Sequence, residues 1–384
     1  MKLERVTAII VKESQEIVRD RLFFSLAFLV PTVLMMLFGF GLSFDVEHIP
    51  FVLVDRDNSS LSREYSHKFI SSRYFDLQGY AKNENELDSL LITNRIRAVI
   101  VIPEHFETDL LAGRPAHLQT LIDGTFPFRA RTTIGYVTAI NAAATMEVLA
   151  TFLSQRQGIP LQDAARSLQP VRLDVRYLYN QSLKSIWSLA PKLLMVILMI
   201  SPPFLTALGI VRERERGSIY NIYSSTVTRG EFVVGKLLPY VGISILNGLV
   251  LWILATRLYG TPFKGSMLFF LFALTLYVVC TAGIGLVVSV FVHTQTAAMI
   301  ATVIITVIPA VLYSGVLIPI ASLTRGSQVI AHLLPAMYFT NIVLGCFLKG
   351  VGFEALRNDI LILAGYACSL FTAGYLFFNK RPSE

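Results

Sequence analysis

A phosphate-binding loop is the first chemistry to consider, because residues 230–236 (GEFVVGK) have the spacing Gly-x4-Gly-Lys. A functional loop follows a strand and has Ser or Thr after the lysine to hold Mg²⁺. Here Leu237 follows the lysine and no strand leads in. We therefore expect Lys236 to extend toward lipid headgroups. We predict no catalytic residue, no metal site and no cofactor bound by this chain.

An acidic segment is the second candidate site. It follows a predicted strand, and its Asp55, Asp57 and Asn58 resemble the start of a phosphotransfer or metal site. Such side chains more often cap the next helix, and we expect Asp57 or Asn58 to do so. Four histidines have no metal-ligand spacing: His48, His67, His105 and His117. The domain that contains these residues, 45–186, is therefore expected to bind or gate and not to catalyse a reaction.

Two polar residues within otherwise apolar stretches, Lys192 and Asn247, are candidates for contact with a substrate or lipid. For Lys192 the sequence favours a structural lysine that extends to the membrane surface over a substrate or lipid contact. Asn247 could equally hydrogen-bond to a neighbouring helix. Ion-coupled carriers usually need acidic groups within the membrane, and the centres of these stretches contain none.

The elements that position these residues are membrane spans. The sequence is 54% hydrophobic and 15% charged, whereas soluble domains have about 25% charged residues. A helix needs about 20 apolar residues to cross a bilayer. Six stretches qualify: 22–44, 187–211, 237–256, 267–292, 297–318 and 358–378. The predicted fold is an integral membrane α-helical protein with six transmembrane helices.

The distribution of Lys and Arg predicts the orientation. They are denser in the segments before 22, between 211 and 237, and in the tail 379–384 than in the short loops opposite. Both termini are therefore expected in the cytoplasm. This asymmetry accounts for most of the net charge of +7 and removes the support for nucleic-acid binding. The first span is expected to be an uncleaved anchor. Residues 1–21 are either an amphipathic helix at the inner interface or a plain extension of that span.

Residues 45–186 have balanced charges, which predicts a folded extracytoplasmic domain inserted after the first span. Strands are predicted at 49–55, 98–102, 117–123 and 171–177. Helices are predicted at 59–70, 84–91, 104–111 and 128–157, the last with a break at Gly135. Alternating strands and helices indicate a mixed α/β (α+β) domain.

The cytoplasmic loop 212–236 begins with the charged run Arg-Glu-Arg-Glu-Arg, which is expected to extend the second span beyond the membrane until Gly217 breaks the helix. The short amphipathic segment 218–224 either docks into a groove on a cytoplasmic partner or forms a solvated turn at the interface. Residues 319–357 contain too many prolines and charges to span. They are expected to enter and leave the membrane on the outer side.

This arrangement resembles the permeases of type-2 ABC exporters, in the bacterial branch that has a large periplasmic loop after the first span. The resemblance rests on RERERGS at 212–218, the Gly-Lys pair at 235–236 and RYLYN at 176–180. It also rests on YSGVLIPI at 313–320 and LLPAMYF at 333–339. Gln181 stands in place of a usual proline, and 224–228 lacks the proline common after the coupling helix.

The resemblance implies a permease subunit of the bacterial inner membrane, driven by a separate cytoplasmic ABC ATPase that binds ATP and Mg. Other implied partners are a second permease copy in a homodimer or heterodimer, membrane lipid and a periplasmic adaptor. It implies ATPase-coupling roles for Arg212, Glu213, Arg214, Glu215, Arg216, Gly217, Ser218, Ile219, Ile222 and Tyr223. The substrate would be a drug, lipid, glycolipid or peptide. The alternatives are a membrane-anchored sensor or assembly scaffold, and an ion-coupled carrier.

Overall fold

The computed structural model describes residues 2–42, 45–81, 84–169, 175–217 and 226–377. The chain forms two compact units. The membrane unit contains Met1–Phe44 and Tyr177–Glu384, and the sheet unit contains Asp45–Arg176. Several predicted features lie outside the described residues: Ser218, Ile219, Ile222, Tyr223, the tail 379–384 and positions 171–174 of the last predicted strand. Positions 175–177 form no strand.

Two helices precede the sheet unit, α1 (Leu3–Arg19) and α2 (Arg21–Gly41). Asp20 separates them with an extended backbone, and its carboxylate accepts a hydrogen bond from the Leu22 backbone N–H (2.8 Å). This side chain therefore caps the start of α2. The chain turns at Asp20, so α1 is a separate helix and not an extension of α2.

The sheet unit alternates strands and helices. Its elements are β1 (Ile49–Asp55), α3 (Ser60–Ile70), β2 (Phe75–Tyr80), α4 (Glu84–Ile92), β3 (Ala98–Ile102), α5 (Phe106–Leu111), β4 (Gln119–Ile122), α6 (Pro127–Gln157) and α7 (Leu161–Leu168). The strand order is β2-β1-β3-β4, with β1 parallel to β2 and β3, and β4 antiparallel to β3. The sequence analysis predicts neither β2 nor α7. β2 is hard to predict, because only one of its six side chains is fully buried and the strand therefore lacks an apolar run.

Both faces of this sheet are covered, which explains the unbroken apolar runs of β1 and β3. Phe51 and Leu53 face a cluster that includes residues of α3, α5 and α6. Val52 and Val54 face the opposite cluster, which includes Leu87 of α4. A shift of either strand by one residue would move each of its side chains to the opposite face of the sheet, so the packing fixes the register.

Two local predictions in this unit are wrong. Neither Asp57 nor Asn58 caps α3, because the Ser59 side chain accepts the hydrogen bond from the Ser62 backbone N–H (3.1 Å). Asp57 instead accepts from the Glu107 backbone N–H (3.0 Å), at the start of α5.

The predicted break in the long helix is also absent, because α6 is continuous through Gly135. A glycine within a helix costs about 1 kcal/mol relative to alanine and does not by itself end the helix. The neighbouring Tyr136 ring stacks on Tyr74 with centroids 4.0 Å apart. Ala144 lies in the core on the same face of the sheet as Phe51 and Leu53. Packing therefore holds α6 in one piece.

After the sheet unit, the described residues of the membrane unit form seven α-helices. They are α8 (Ser185–Glu215), α9 (Arg229–Leu258), α10 (Met267–Phe291), α11 (Gln295–Tyr313), α12 (Arg325–His332), α13 (Pro335–Lys349) and α14 (Phe353–Phe377). Within the described residues, seven helices are long and apolar enough to cross a membrane: α2, α6, α8, α9, α10, α11 and α14. The pair α12 and α13 is bent by 83° and adds an eighth if counted as one span.

Two boundaries differ from the sequence prediction. The helix α9 begins at Arg229, within the predicted loop 212–236, whereas α8 continues to Glu215 as predicted for the charged run. A capping box starts α9, in which Thr228 and Glu231 each bind the other's backbone N–H. The helix α14 begins at Phe353, so residues 353–357 belong to it and not to the segment before it.

Candidate functional site

The amphipathic helix α1 packs directly against α9. Its buried residues are Val6, Glu13 and Ile17. A Cβ at Gly235 of α9 would lie 2.9 Å from Cβ of Ile9, so a larger residue there would force the helices apart. At the start of α1 the Lys2 backbone N–H donates to Glu231 Oε1 (2.6 Å). α1 is therefore fixed to α9 along its length.

A buried charge cluster lies beneath α1. Lys236 of α9 is only 1% exposed, and its Nζ lies 2.7 Å from Glu13 Oε1 and 3.1 Å from Glu213 Oε2. Lys12 Nζ donates to the other oxygen of Glu213. The Tyr240 hydroxyl donates to Glu13 Oε2 (3.0 Å). The expectation that Lys236 reaches toward lipid headgroups is therefore wrong, because buried carboxylates bind it inside the protein.

The positions of the two lysines determine whether Glu13 or Glu213 is protonated more easily. Oxygens of Glu13, Glu16 and Glu213 lie within 4.8 Å of one another, a spacing that a divalent cation could bridge, but ammonium groups already lie between them. Burial raises the pKa of Glu13 despite the opposing charge of Lys236. Glu213 receives two ammonium groups, whereas Glu13 forms its short contact with Lys236 alone. Glu13 is therefore the carboxyl of this pair that protonates more easily.

The end of α8 binds four other elements through four consecutive charged residues, and we call these residues with their partners the charged junction. Arg212 pairs with Asp20 at the turn between α1 and α2. Glu213 binds Lys236 of α9, as described. Three further hydrogen bonds reach α10 and α11: Arg214 Nη1 donates to the carbonyls of Ser289 (3.1 Å) and Val292 (3.2 Å), and Glu215 Oε2 accepts from Gln295 Nε2 (2.8 Å).

Each of these bonds suits the helix end that it meets. Arg214 is a cation at the carboxyl end of α10, where unpaired carbonyls and the helix dipole favour positive charge. Glu215 is an anion at the amino end of α11, where its Oε2 also accepts from the Gln295 backbone N–H (3.2 Å). Burial acts to raise the pKa of Asp20, but its hydrogen bonds from Arg212 and Leu22 outweigh burial and lower it.

The charged run ends at Arg216 and Gly217. Arg216 is exposed and caps the carboxyl end of α8. Gly217 has φ +75°, a left-handed conformation that glycine adopts without strain. The predicted sharp turn at Gly217 is therefore present. It leads directly into the segment that contains Ser218, Ile219, Ile222 and Tyr223.

The two predicted substrate or lipid contacts lie on different helices. Lys192 is half-buried near the start of α8. Asn247 of α9 is fully buried, and neither polar atom of its side chain has a hydrogen-bond partner among the described residues. Ser244, one turn away, has the same property. Lys192 and Asn247 therefore remain separate candidates, and no hydrogen bond joins them.

The sequence analysis does not identify Glu13 or Tyr240 as members of a site. One signal in the sequence points to Glu13: it lies on the apolar stripe of α1, at helical spacing between Ile9 and Ile17. A carboxylate on such a stripe requires a buried cation. The partner is Lys236, which lies 223 residues away in the sequence.

Comparisons with known proteins agree with the predicted family. The ABC-2 family transporter protein family matches residues 21–376. The probable multidrug ABC transporter permease YbhS of Escherichia coli K12 is 27% identical over 98% of this chain and 97% of its own length. The similarly named YbhR of the same strain is 25% identical over 98% and 99%. The inner membrane transport permease YhhJ is 25% identical over 86% and 85%.

Proposed function

This chain belongs to the ABC-2 family of transporter proteins and is a multi-pass membrane permease, and from that premise we propose that it is the export subunit of an ATP-driven transporter. A separate pair of cytoplasmic ABC ATPase subunits would bind ATP and Mg and drive it. The permease would act with a second copy of itself or with a related permease.

The charged junction is the observation that supports this proposal most strongly. Residues 212–215 bind the turn between α1 and α2 and the helices α9, α10 and α11. The next residues, Arg216 and Gly217, lead into the segment proposed to dock on the ATPase. A displacement of that segment would therefore reach several helices at once. Charged hydrogen bonds depend on direction and distance, so these helices would move together.

We propose a six-span topology for the membrane unit, with both termini in the cytoplasm. The spans are α2, α8, α9, α10, α11 and α14, and the bent pair α12–α13 re-enters from the outer side. The helix α6 passes the test of length and hydropathy, but its Tyr136, Val137 and Ile140 pack on the sheet unit. We therefore assign α6 to an extracytoplasmic domain that binds a periplasmic adaptor.

We propose that the substrate is hydrophobic or amphipathic. Two of the three relatives quoted above are named as probable multidrug permeases. Asn247 of α9 offers a buried amide that has no hydrogen-bond partner among the described residues, and Lys192 offers a cation near the start of α8. Either could bind the polar group of an otherwise apolar substrate.

The proposal is tested first by purifying the tagged chain in mild detergent from its own host and identifying the proteins that accompany it. An ATPase with a phosphate-binding loop is expected, and a second permease in the same sample would indicate a heterodimer. A stable chain without any ATPase would instead favour a sensor or scaffold. Export that stops with the proton gradient at constant ATP would favour an ion-coupled carrier.

Coupling is tested with Glu215→Gln and Gly217→Ala. Glu215→Gln weakens the bond to α11, and Gly217→Ala strains a left-handed residue. Both should reduce export and ATPase stimulation while membrane insertion stays unchanged. Gly326→Ala is the control, since Gly326 has open space around it and lies far along the chain, in α12. Wild-type export from both coupling variants would contradict the role.

A further inference from the structure

A cleft of about 500 Å³ opens beside the charged junction. Its walls come from α1, α2, the end of α8 and α9, and all of these belong to the membrane unit. Ile17 and Phe23 form part of the lining and are almost completely buried. The cleft therefore has apolar side chains at its base and charged side chains at its rim.

The carboxylates of this cleft are already paired. Asp20 binds Arg212, and Glu213 binds Lys12 and Lys236. Glu16 lies 3.8 Å from Lys12. None of the three is therefore left to neutralise a further cation.

Two guanidinium groups at the rim remain available. Arg19 and Arg216 both line the cleft and are exposed, and neither has an ion-pair partner among the described residues. Guanidinium groups bind phosphate with two parallel hydrogen bonds and do so better than ammonium groups. Two of them at one cleft are suited to one phosphate group.

The position of the cleft indicates where such a phosphate comes from. Arg19 and Asp20 lie where the amphipathic helix α1 ends and the apolar helix α2 begins. Gly209, which also lines the cleft, is near the end of the apolar part of α8. With α2 and α8 as spans, as proposed above, the cleft is at the depth of the lipid headgroups, where basic residues attract anionic lipids.

We propose that this cleft binds the phosphate group of an anionic phospholipid, with Arg19 and Arg216 on the phosphate and Ile17 and Phe23 against the first carbons of the lipid. Only one part of this proposal rests on the proposed function: the proposed topology puts the bound lipid in the cytoplasmic leaflet. Lipid binding itself does not depend on transport. A bound lipid would bridge α1 and the end of α8, next to the proposed coupling segment.

The test is lipid binding to the full-length purified chain in non-ionic detergent, measured by native mass spectrometry and by the shift in melting temperature. The probes are phosphatidylglycerol, phosphatidylcholine, glycerol 3-phosphate and inorganic phosphate. We expect phosphatidylglycerol to bind most tightly. The double variant R19Q/R216Q should bind it at least about tenfold more weakly, because two charge-assisted contacts are lost.

The matched control is R21Q/R229Q, which removes the same charge from residues that are exposed but do not line the cleft. It should bind phosphatidylglycerol within about twofold of the wild type. The variant R19K/R216K keeps the charge and should lose less affinity than R19Q/R216Q. An unchanged melting temperature without lipid shows that each variant is folded.

Three outcomes would overturn the proposal. Equal loss in both double variants would mean general attraction to the basic surface. Unchanged binding in R19Q/R216Q would exclude the cleft. Binding of glycerol 3-phosphate or inorganic phosphate as tightly as phosphatidylglycerol would assign the cleft to a soluble phosphate and reject the lipid. Because no step measures export or ATPase activity, these outcomes are independent of the proposed function.

Discussion

Charged side chains have different roles in the two units of this protein. In the sheet unit, ion pairs such as Lys68–Glu147 and Arg114–Asp109 are on the surface: the Lys68 and Glu147 side chains are 28% and 54% exposed, and those of Arg114 and Asp109 are 66% and 33% exposed. In the buried charge cluster of the membrane unit, the Lys236 and Glu13 side chains are each 1% exposed and that of Glu213 is 6% exposed. The same residue types thus occur in water in one unit and in a closed network in the other.

This difference determines what a substitution costs. An exposed pair contributes about 0–1 kcal/mol, because water already solvates both partners. A buried pair contributes little net stability as a whole, but removing one partner leaves a charge without compensation. The buried charge cluster is therefore intolerant of single changes, and the surface pairs are tolerant.

The largest effect is expected for Lys236→Met, which leaves Glu13 and Glu213 buried without their shared cation. The free energy of unfolding should fall by about 3–5 kcal/mol, measured by SDS titration in mixed micelles. Lys68→Met is the control in the sheet unit and should cost less than about 1 kcal/mol. Adding Glu13→Gln to Lys236→Met should restore part of the loss. Similar costs for both lysines would contradict the comparison.

The next largest effect is expected for Gly209→Ala, at the contact between α8 and α9. A Cβ at Gly209 would lie 1.9 Å from the Tyr240 hydroxyl oxygen. That hydroxyl is held by Glu13 and cannot move away without losing its hydrogen bond. We expect a loss of about 1–3 kcal/mol of unfolding free energy.

The same titration of Gly242→Ala supplies the control, because nothing lies within 4 Å of a Cβ there. This second variant should be neutral or slightly stabilising, since alanine favours helix. A loss of equal size in both glycine variants would mean that helix flexibility, and not the contact with Tyr240, determines the cost.

Arg214→Gln should have a smaller effect. It removes the guanidinium from the carbonyls of Ser289 and Val292 at the end of α10. Hydrogen bonds to a charged donor and the interaction with the helix dipole together predict a loss of about 1–2 kcal/mol. Hydrogen exchange should increase first in the last turn of α10. Arg114→Gln in the sheet unit should change little, and exchange that increases evenly over the whole chain would count against a local cap.

Much of the architecture is predictable from the sequence, because hydrophobic runs and alternation report local burial. The strands β1 and β3 have the predicted ranges, and each predicted span overlaps a long helix. The ABC-2 family, predicted from RERERGS and its surroundings, is confirmed by the match over 21–376. These signals lie within short windows of sequence, where one element determines the pattern.

The charged junction was less predictable, because its partners are far apart in the sequence. The charged run is predicted to extend the second span, and α8 does continue to Glu215, but the run does not show which residues it binds. The sequence predicts Lys236 at the headgroups because a lysine near a span end usually extends there. Only the distant Glu13 shows that this lysine turns inward. A single sequence gives the charge of a residue but not which distant residue neutralises it.

The pH dependence of stability should have opposite signs in the two units. In the sheet unit, hydrogen bonds from Thr125 and then Arg97 lower the pKa of Asp123 to about 2. Its unfolded value is about 3.9, so its contribution is present above about pH 4 and is lost as pH falls toward 2. Glu13 behaves in the opposite way, because burial raises its folded pKa above the unfolded value of about 4.3.

For Glu13, the native state therefore binds the proton more tightly than the unfolded chain does. Its contribution is fully present below about pH 4 and is lost as pH rises through its raised folded pKa. The melting temperature of the wild type minus that of Glu13→Gln should fall as pH increases from about 4 through the raised folded pKa. The melting temperature of the wild type minus that of Asp123→Asn should rise as pH increases from about 2 to 4. If both differences changed in the same direction, Glu13 would have to be solvated like a surface carboxylate, and the buried cluster would not close as described.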